Sequence, residues 1–277
     1  MIDRRTIRRW TDRLAPKLAS SYRGYRDRHT KRYEHSTTTP WGFQLHGDLG
    51  LAESRSSSNE AEAFLAMVDD CDHVIDVGAN VGLFTLMAAT RNVPVTAIEP
   101  SPMNLAVLYR NLRLNSIDVE VLPVALANRF GLADLYGGGQ GASLRSGWGG
   151  MASTYTTTVP VHSLDSLFAA RLAGQRVVVK IDTEGSELAI LRGAPMLLAA
   201  SPAPSWIVEI GLTENFDGIN PDFLAIFDLF RSAGYVARCV EEPGREVSAA
   251  DVSEWVERGD RGFWNINYTF TRPRAIA

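Results

Sequence analysis

Val74-Ile-Asp-Val-Gly-Ala-Asn-Val-Gly-Leu-Phe-Thr85, followed by Val95-Thr-Ala-Ile-Glu-Pro-Ser101, decides the fold of this chain. An apolar run of strand length breaks at glycine into a helix, and a second apolar run ends in an acid. Asp76 and Glu99 stand 23 residues apart, about one strand–helix–strand unit. An acid at the end of the second strand is where doubly wound folds hydrogen-bond a ribose, so a nucleoside cofactor is expected.

What the glycine turn lacks narrows the nucleoside. A dinucleotide fingerprint, G-x-G-x-x-G, uses its second glycine for backbone approach to a pyrophosphate and its third for close helix packing. Counted from Gly78, those places hold Asn80 and Leu83, whose side chains are in the way. The phosphate loop that ends Gly-Lys-Ser/Thr is absent too. What remains is G-x-N-x-G with Asp76 two residues ahead, suited to a ligand with a ribose and a charged amino-acid end but no phosphate. S-adenosylmethionine fits that description.

The stretch resembles motif I of class I methyltransferases, and its form Ile75-Asp-Val-Gly-Ala-Asn-Val-Gly82 is similar to the FkbM-type family in particular. Three further segments agree in order: Glu99-Pro-Ser-Pro102 with Asn111 and Asn115 downstream, Val124-Ala-Leu126, and Val179-Lys-Ile-Asp-Thr-Glu-Gly-Ser-Glu187. Together they cover about residues 60 to 212. The resemblance implies an S-adenosylmethionine-dependent O-methyltransferase whose acceptor is a hydroxyl on a sugar of a glycolipid or polysaccharide, or on a natural product. It also implies a Rossmann-like α/β fold, a doubly wound, mostly parallel seven-stranded sheet completed by an antiparallel last strand.

The 277 residues can bury a full core, and 45% hydrophobic with 22% charged residues is an ordinary balance for a globular chain. No apolar run approaches the roughly 18 residues that span a bilayer, and the N-terminus lacks a signal peptide's apolar core, so a cytoplasmic location is expected. Cys71 and Cys239 lie far apart without metal-ligand spacing and read as small buried residues, not a disulfide. The net charge of −4 hides an asymmetry: residues 1–32 carry 11 Lys and Arg against three Asp, a local charge of +8 that leaves −12 for the remainder. Such an arm can lie on the acidic body, a partner subunit, the anionic inner face of a membrane or an anionic substrate. Nothing else on the chain resembles a nucleic-acid module, so no nucleic-acid partner is expected.

Residues 1–58 read as a basic extension, helical to about residue 35 and irregular beyond, and residues 59–277 as the cofactor-binding domain. Strand and helix patterns alternate there, with strands expected at 74–77, 95–98, 119–124, 177–182, 206–210, 235–240 and 263–270. Ser101-Pro102 and Asn220-Pro221 read as helix starts, Ser248-Ala-Ala-Asp251 as a capping box, and Gly193 and Gly234 as left-handed helix ends. An insertion at 131–161 sets two alternating segments, Gly131 to Tyr136 and Thr156 to Val161, around a glycine-rich stretch. It reads either as a loose hairpin tip or as a lid, with Gly141-Ala-Ser-Leu144 resembling the family pattern and Trp148 offering a face to a sugar.

Ligands of open parallel sheets sit beyond the carboxyl ends of the strands, where the strand order reverses. The expected cofactor contacts are Asp76, Gly78, Ala79, Asn80, Gly82, Glu99, Pro100, Ser101, Asn104, Ala125, Leu126 and Asp182. Glu99 is expected on the ribose hydroxyls, and Asp76 ordering the glycine loop and reaching the ammonium. An aliphatic hydroxyl is a poor nucleophile, so a positioned base or a metal helps remove its proton. Asp182, Glu184, Glu209 and His162 are the candidate bases; Lys180 is either a snorkelling structural cation paired with Asp182 or Glu209, or a functional one that holds the carboxylates or polarises the acceptor hydroxyl. Converging acids suit a hard divalent cation such as magnesium, and no residue is assigned as a metal ligand. Trp41, Phe43, Trp148 and Trp264 either line an acceptor cleft or belong to the core. Three rivals stand beside this reading. A nicotinamide-dependent oxidoreductase is opposed by Asn80 and Leu83. A binding protein would keep the fold without turnover. Methyl transfer to nitrogen in a nucleic acid would want an Asn-Pro-Pro-Tyr type motif where Asp182-Thr-Glu-Gly185 stands.

Overall fold

The computed structural model describes residues 36–46, 55–150 and 155–273, so the basic arm and its expected helix lie outside the described residues. In chain order the first half contains β1 (Thr37–Thr38), β2 (Gln44–Leu45), α1 (Arg55–Val68), β3 (His73–Val77), α2 (Leu83–Ala89), β4 (Val95–Ile98), α3 (Pro102–Leu114), β5 (Glu120–Leu122) and β6 (Ala125–Leu126). The insertion supplies β7 (Gly131–Tyr136) and β8 (Thr156–His162). The second half contains α4 (Leu164–Phe168), β9 (Val177–Ile181), α5 (Glu187–Arg192), α6 (Pro195–Ala199), β10 (Ser205–Glu209), α7 (Phe223–Ser232), β11 (Val236–Cys239), β12 (Glu246–Val247), α8 (Ala249–Arg258) and β13 (Asn267–Thr271).

Consecutive apolar residues in β3 and β9 are the mark of strands covered on both faces, and both are buried along their whole length. They lie side by side at the centre of an eight-stranded sheet of order β12-β11-β13-β10-β9-β3-β4-β5. β10, β9, β3, β4 and β5 run parallel, and β13 enters antiparallel between β10 and β11. The expected seven strands and antiparallel last strand are present, and the short β12 adds an eighth by pairing with β11 at the edge. Alternation along β3 sends Ile75 and Val77 into one apolar layer, filled by α4 to α8, and Val74 into the other, filled by α1 to α3. This is a doubly wound α/β fold of the Rossmann type, whose strand order reverses between β3 and β9.

Asn111 and Asn115 behave as backbone surrogates. Asn111 accepts from His46 N at 2.7 Å and donates to His46 O at 3.0 Å, and Asn115 makes the same exchange with Gln44 at 2.8 and 2.7 Å. Asn111 also donates to Val81 O at 2.7 Å, so the segment ahead of the core is tied through α3 to the glycine turn.

Some local expectations change. Asn220 does not cap a helix at Pro221; its side chain binds Gly211 O and Asp222 N, at 2.8 and 2.9 Å, and α7 starts two residues later. Gly193 is not left-handed, with φ −92°, and its place is explained by crowding, since a Cβ there would stand 2.4 Å from Ala127 O. Gly234 is left-handed as expected, and the Ser248–Asp251 capping box opens α8. β13 begins at Asn267, four residues later than expected. The insertion pairs as β7 and β8 in antiparallel register, with β6 parallel to β8, in a small sheet of its own. Among the described residues no helix is long and apolar enough to cross a membrane.

Candidate active site

β3 passes to α2 through Gly78-Ala-Asn-Val-Gly82, a turn in which four of the five amides are engaged internally. Gly78 N and Ala79 N both donate to Ile98 O, at 2.9 and 3.0 Å, Asn80 N donates to Glu99 Oε2 at 2.9 Å, and Gly82 N donates to Ala79 O at 2.8 Å. A phosphate cradle needs such amides free, so this turn offers no pyrophosphate seat. Gly78, at φ +80°, is required by close approach: a Cβ would lie 1.8 Å from Asp182 O, where the two central strands end together. Behind the turn, Asp76 is 1% exposed and accepts from Thr85 Oγ1 at 2.5 Å. Burial raises its pKa, against the Lys180 charge and the Thr85 hydroxyl.

Glu99 is held from three directions. Ser101 N at 2.8 Å and Asn104 Nδ2 at 3.2 Å donate to Oε1, and Asn80 N donates to Oε2. Burial raises its pKa, and these three donors pull it back. A carboxylate offers about four acceptor positions, so about one remains for a ligand hydroxyl. Asn80 adopts a left-handed φ of 52°, and its Oδ1 is buried without a hydrogen-bond partner.

A cleft of about 320 Å³ opens over these strand ends. The ends of β3, β4 and β6 contribute Gly78, Asn80, Glu99, Pro100, Asn104, Ala125 and Leu126. The ends of β9 and β10, with the approach to β13, contribute Asp182, Thr183, Glu184, Glu209, Glu214, Asn215, Trp264 and Ile266. Five residues expected at the ligand stand outside this lining. Asp76 supports the turn, Ala79 packs in the α1–α3 layer, Gly82 makes room for Leu108 at 2.4 Å from its absent Cβ, Ser101 N-caps α3, and Lys180 is buried in ion pairs. His162 is also elsewhere, edge-on to Phe130 at 5.6 Å. Trp41 and Phe43 stack 6.3 Å apart in the core layer under α1, and of the four aromatic candidates Trp264 lines the cleft, half exposed.

The acids of the second group are crowded. Glu209 has its pKa raised well above the ordinary value by burial and then by the charges of Asp182, Glu184 and Glu60, with Lys180 opposing. Lys180 is 2% exposed; its Nζ lies 3.0 Å from Asp182 Oδ2, 3.4 Å from Glu60 Oε1 and 4.2 Å from the centre of the Phe84 ring. Lys180 is thus paired with Asp182, as expected in one of its readings, and with a carboxylate that sequence reasoning passed over. Helical phase is the signal that could have found Glu60: it stands one turn before the fully buried Phe64. Glu214 was also missed; Arg261 clamps it through Nη1 at 2.8 Å and Nη2 at 3.2 Å, which fixes the loop carrying Asn215. Among the described residues no group of three or more His, Cys, Asp and Glu side chains is arranged to hold a metal ion.

The glycine-rich insertion folds over both groups. Gly139 O accepts from Asn104 Nδ2 at 3.2 Å, and Ser143 Oγ donates to Glu184 O at 2.7 Å. Trp148 Nε1 donates to Glu184 Oε2 at 2.5 Å, and its ring occupies the space over Gly185, 2.3 Å from where a Cβ would be. Trp148 thus anchors the insertion, edge-on to Phe216 at 4.8 Å, and Arg145 ion-pairs with Asp222 at the start of α7.

The methyltransferase FkbM domain model matches residues 76–237, more than half of the chain. The chain belongs to that family. Solved structures similar to this FkbM-domain methyltransferase include a precorrin-6y C5,15-methyltransferase from Geobacter metallireducens GS-15, at 12% identity over 77% of this chain and 86% of that one, with a TM-score of 0.40. A ribosomal protein L11 methylase from Lactobacillus delbrueckii subsp. bulgaricus is similar at 12% identity over 79% of each chain, with a TM-score of 0.42. The Pyrococcus abyssi tRNA (uracil-54, C5)-methyltransferase in complex with S-adenosyl-L-homocysteine is similar at 11% identity over 87% of this chain and 44% of that one, with a TM-score of 0.43. No curated protein sequence matches the chain.

Proposed function

We propose that this FkbM-domain protein uses S-adenosylmethionine to methylate a hydroxyl on a sugar of a glycolipid, a polysaccharide or a glycosylated natural product. The observation that carries the reading is one cleft that sets Glu99 and Asn80, on a turn with no phosphate seat, against crowded acids at Asp182, Glu184 and Glu209. The position left on Glu99 suits a ribose hydroxyl, and the unpartnered Asn80 Oδ1 suits an N–H donor such as the cofactor's ammonium. When bound, the sulfonium supplies an already activated methyl group. The chain's own residues must align the acceptor hydroxyl, exclude water and take its proton. Glu209 is the favoured base, because burial and then the like charges around it make it a stronger base than an exposed carboxylate. Trp264 offers an aromatic face to a sugar ring beside the polar Asn215, and the docked insertion keeps solvent from the strand ends.

The test is calorimetric titration with S-adenosylhomocysteine, with NAD as control, followed by a screen of glycan and glycolipid acceptors for labelled-methyl transfer with and without magnesium. Micromolar binding of S-adenosylhomocysteine alone, and label on a sugar hydroxyl, are expected. Binding of NAD in its place, or of neither compound, would sink the reading.

A further inference from the structure

Glu60 lies ahead of the segment that matches the family model, on α1, and outside the cleft lining, yet it is 9% exposed and reaches the Lys180 ammonium. We propose that Glu60 is a positioning residue of the site: it takes one side of the Lys180 ammonium and so holds that charge off Glu209, leaving Glu209 basic enough to accept the proton of the acceptor hydroxyl. The purpose rests on the methyl-transfer reading, whereas the contact of Glu60 with Lys180 is a feature of the chain itself.

The surroundings of the network are defined on every side. α1 presents Glu60, with Asn59 Nδ2 bound 2.8 Å from Glu241 Oε2 on the turn after β11. α2 presents the Phe84 ring to Lys180 and Thr85 to Asp76. β3 presents Asp76, β9 presents Lys180 and Asp182, the loop after β9 presents Glu184, and β13 places Asn267 as the register partner of Glu209. Asp76, Glu60, Asp182 and Glu209 all act on or feel the Lys180 charge. The ammonium's ion pairs, at 3.0 and 3.4 Å, go to Asp182 and Glu60. Were Glu60 uncharged, the attraction of the ammonium for Glu209 would be less compensated, and Glu209 would release its proton more easily. Burial pushes Glu60 itself up to about 7, against the pull of Lys180, so its charge changes in the range where enzymes work. Removal of the hydroxyl proton transfers it from the acceptor oxygen to a Glu209 carboxylate oxygen as the oxygen–methyl bond forms and the methyl–sulfur bond breaks.

Carboxyl titration by ¹³C NMR of the full chain, labelled at Glu Cδ and Asp Cγ, tests the coupling without an acceptor. Resonances are assigned by their loss in Glu60→Gln and Glu209→Gln. In the parent protein Glu209 should titrate above the ordinary carboxylate range and Glu60 near 7. In Glu60→Gln the Glu209 midpoint should move to lower pH, and Glu60→Asp should restore part of the shift; an unmoved Glu209 midpoint overturns the proposal. Should Glu60→Gln fail to fold, Glu60→Asp reads the same coupling, because the shorter side chain draws its carboxylate back from Lys180. In that variant too the Glu209 midpoint should move to lower pH, by less than in Glu60→Gln, and an unmoved midpoint overturns the proposal equally. S-adenosylhomocysteine titration of the parent protein keeps the two readings apart: failure to bind would sink the methyl-transfer reading, while the carboxyl midpoints alone decide the coupling.

Discussion

Glu99, buried, and Glu209, half-buried, are two glutamates at the ends of neighbouring parts of one sheet, and they are built on opposite plans. Burial raises the pKa of both. At Glu99 the next causes are three hydrogen-bond donors that favour the ionised form. At Glu209 the next causes are three more acids that disfavour it, with Lys180 as the counterweight. The donors at Glu99 favour the ionised form against burial, and the acids around Glu209 add to burial in favouring uptake of a proton. Binding and proton transfer should therefore separate by residue.

The sharpest separation is expected from Glu209→Gln. A positioned base contributes about 10²- to 10⁴-fold to a reaction of this kind, so kcat with an accepted sugar should fall by that order while S-adenosylhomocysteine affinity stays close to the parent value. Stopped-flow turnover beside calorimetry reads both. An equal loss in the two would break the comparison and move Glu209 to the cofactor side.

Next in size is the cost of the crowded acids to folding. Glu60 has a folded pKa raised from 4.5 to about 7, so its contribution to stability is fully present below about 4.5 and is lost as pH rises through about 7. That difference corresponds to at most roughly 3 kcal/mol, and partial relaxation of the buried site will reduce it. The acids with depressed values, Asp72, Glu120, Glu214 and Asp251, act the other way and lose their contribution as pH falls. Urea unfolding of the parent protein and Glu60→Gln from pH 5 to 8 should show the variant gaining relative stability as pH rises. A constant difference across that range would mean that the crowding carries no such cost.

Glu99→Ala probes the other plan. Loss of a charge-assisted contact costs about 1.5–3 kcal/mol, or about 10- to 150-fold in S-adenosylhomocysteine affinity. Far-ultraviolet circular dichroism should show the fold intact, and unchanged affinity would remove Glu99 from the ribose.

The two plans were unequally legible in the sequence. The Glu99 side is local: Gly78, Asn80, Glu99 and Asn104 lie within 27 residues, and their spacing follows from one strand–helix–strand unit. The acids Asp182, Glu184 and Glu209 were also readable, because each ends or follows a strand whose apolar run is plain. What escaped depends on partners distant in the chain. Glu60 meets Lys180 from 120 residues away, and Arg261 meets Glu214 from 47, contacts that no periodicity encodes. Trp148, between glycines, leaves a core residue and a sugar-facing one open from sequence alone. The missing Cβ of Gly185, which gives its ring a seat, lies 37 residues later.

The insertion touches both plans, and Arg145→Met asks which one it serves. The Arg145–Asp222 pair is partly exposed, at 36% and 28%, and pairs of that kind are worth about 0–1 kcal/mol, so the melting temperature should barely move. Its removal loosens the segment that bonds Asn104 through Gly139 O on the Glu99 side and Glu184 through Ser143 Oγ on the Glu209 side. Because both bonds belong to one segment, the expected effect is shared: up to about fivefold weaker S-adenosylhomocysteine binding, with a matching rise in acceptor KM. A rise in acceptor KM alone would assign the insertion to the Glu209 side and leave the Asn104 contact as packing. Weaker cofactor binding alone would make it a clasp on the Glu99 side, and Glu184 would then owe its left-handed φ of 54° to the turn it sits in, with no part taken by the lid.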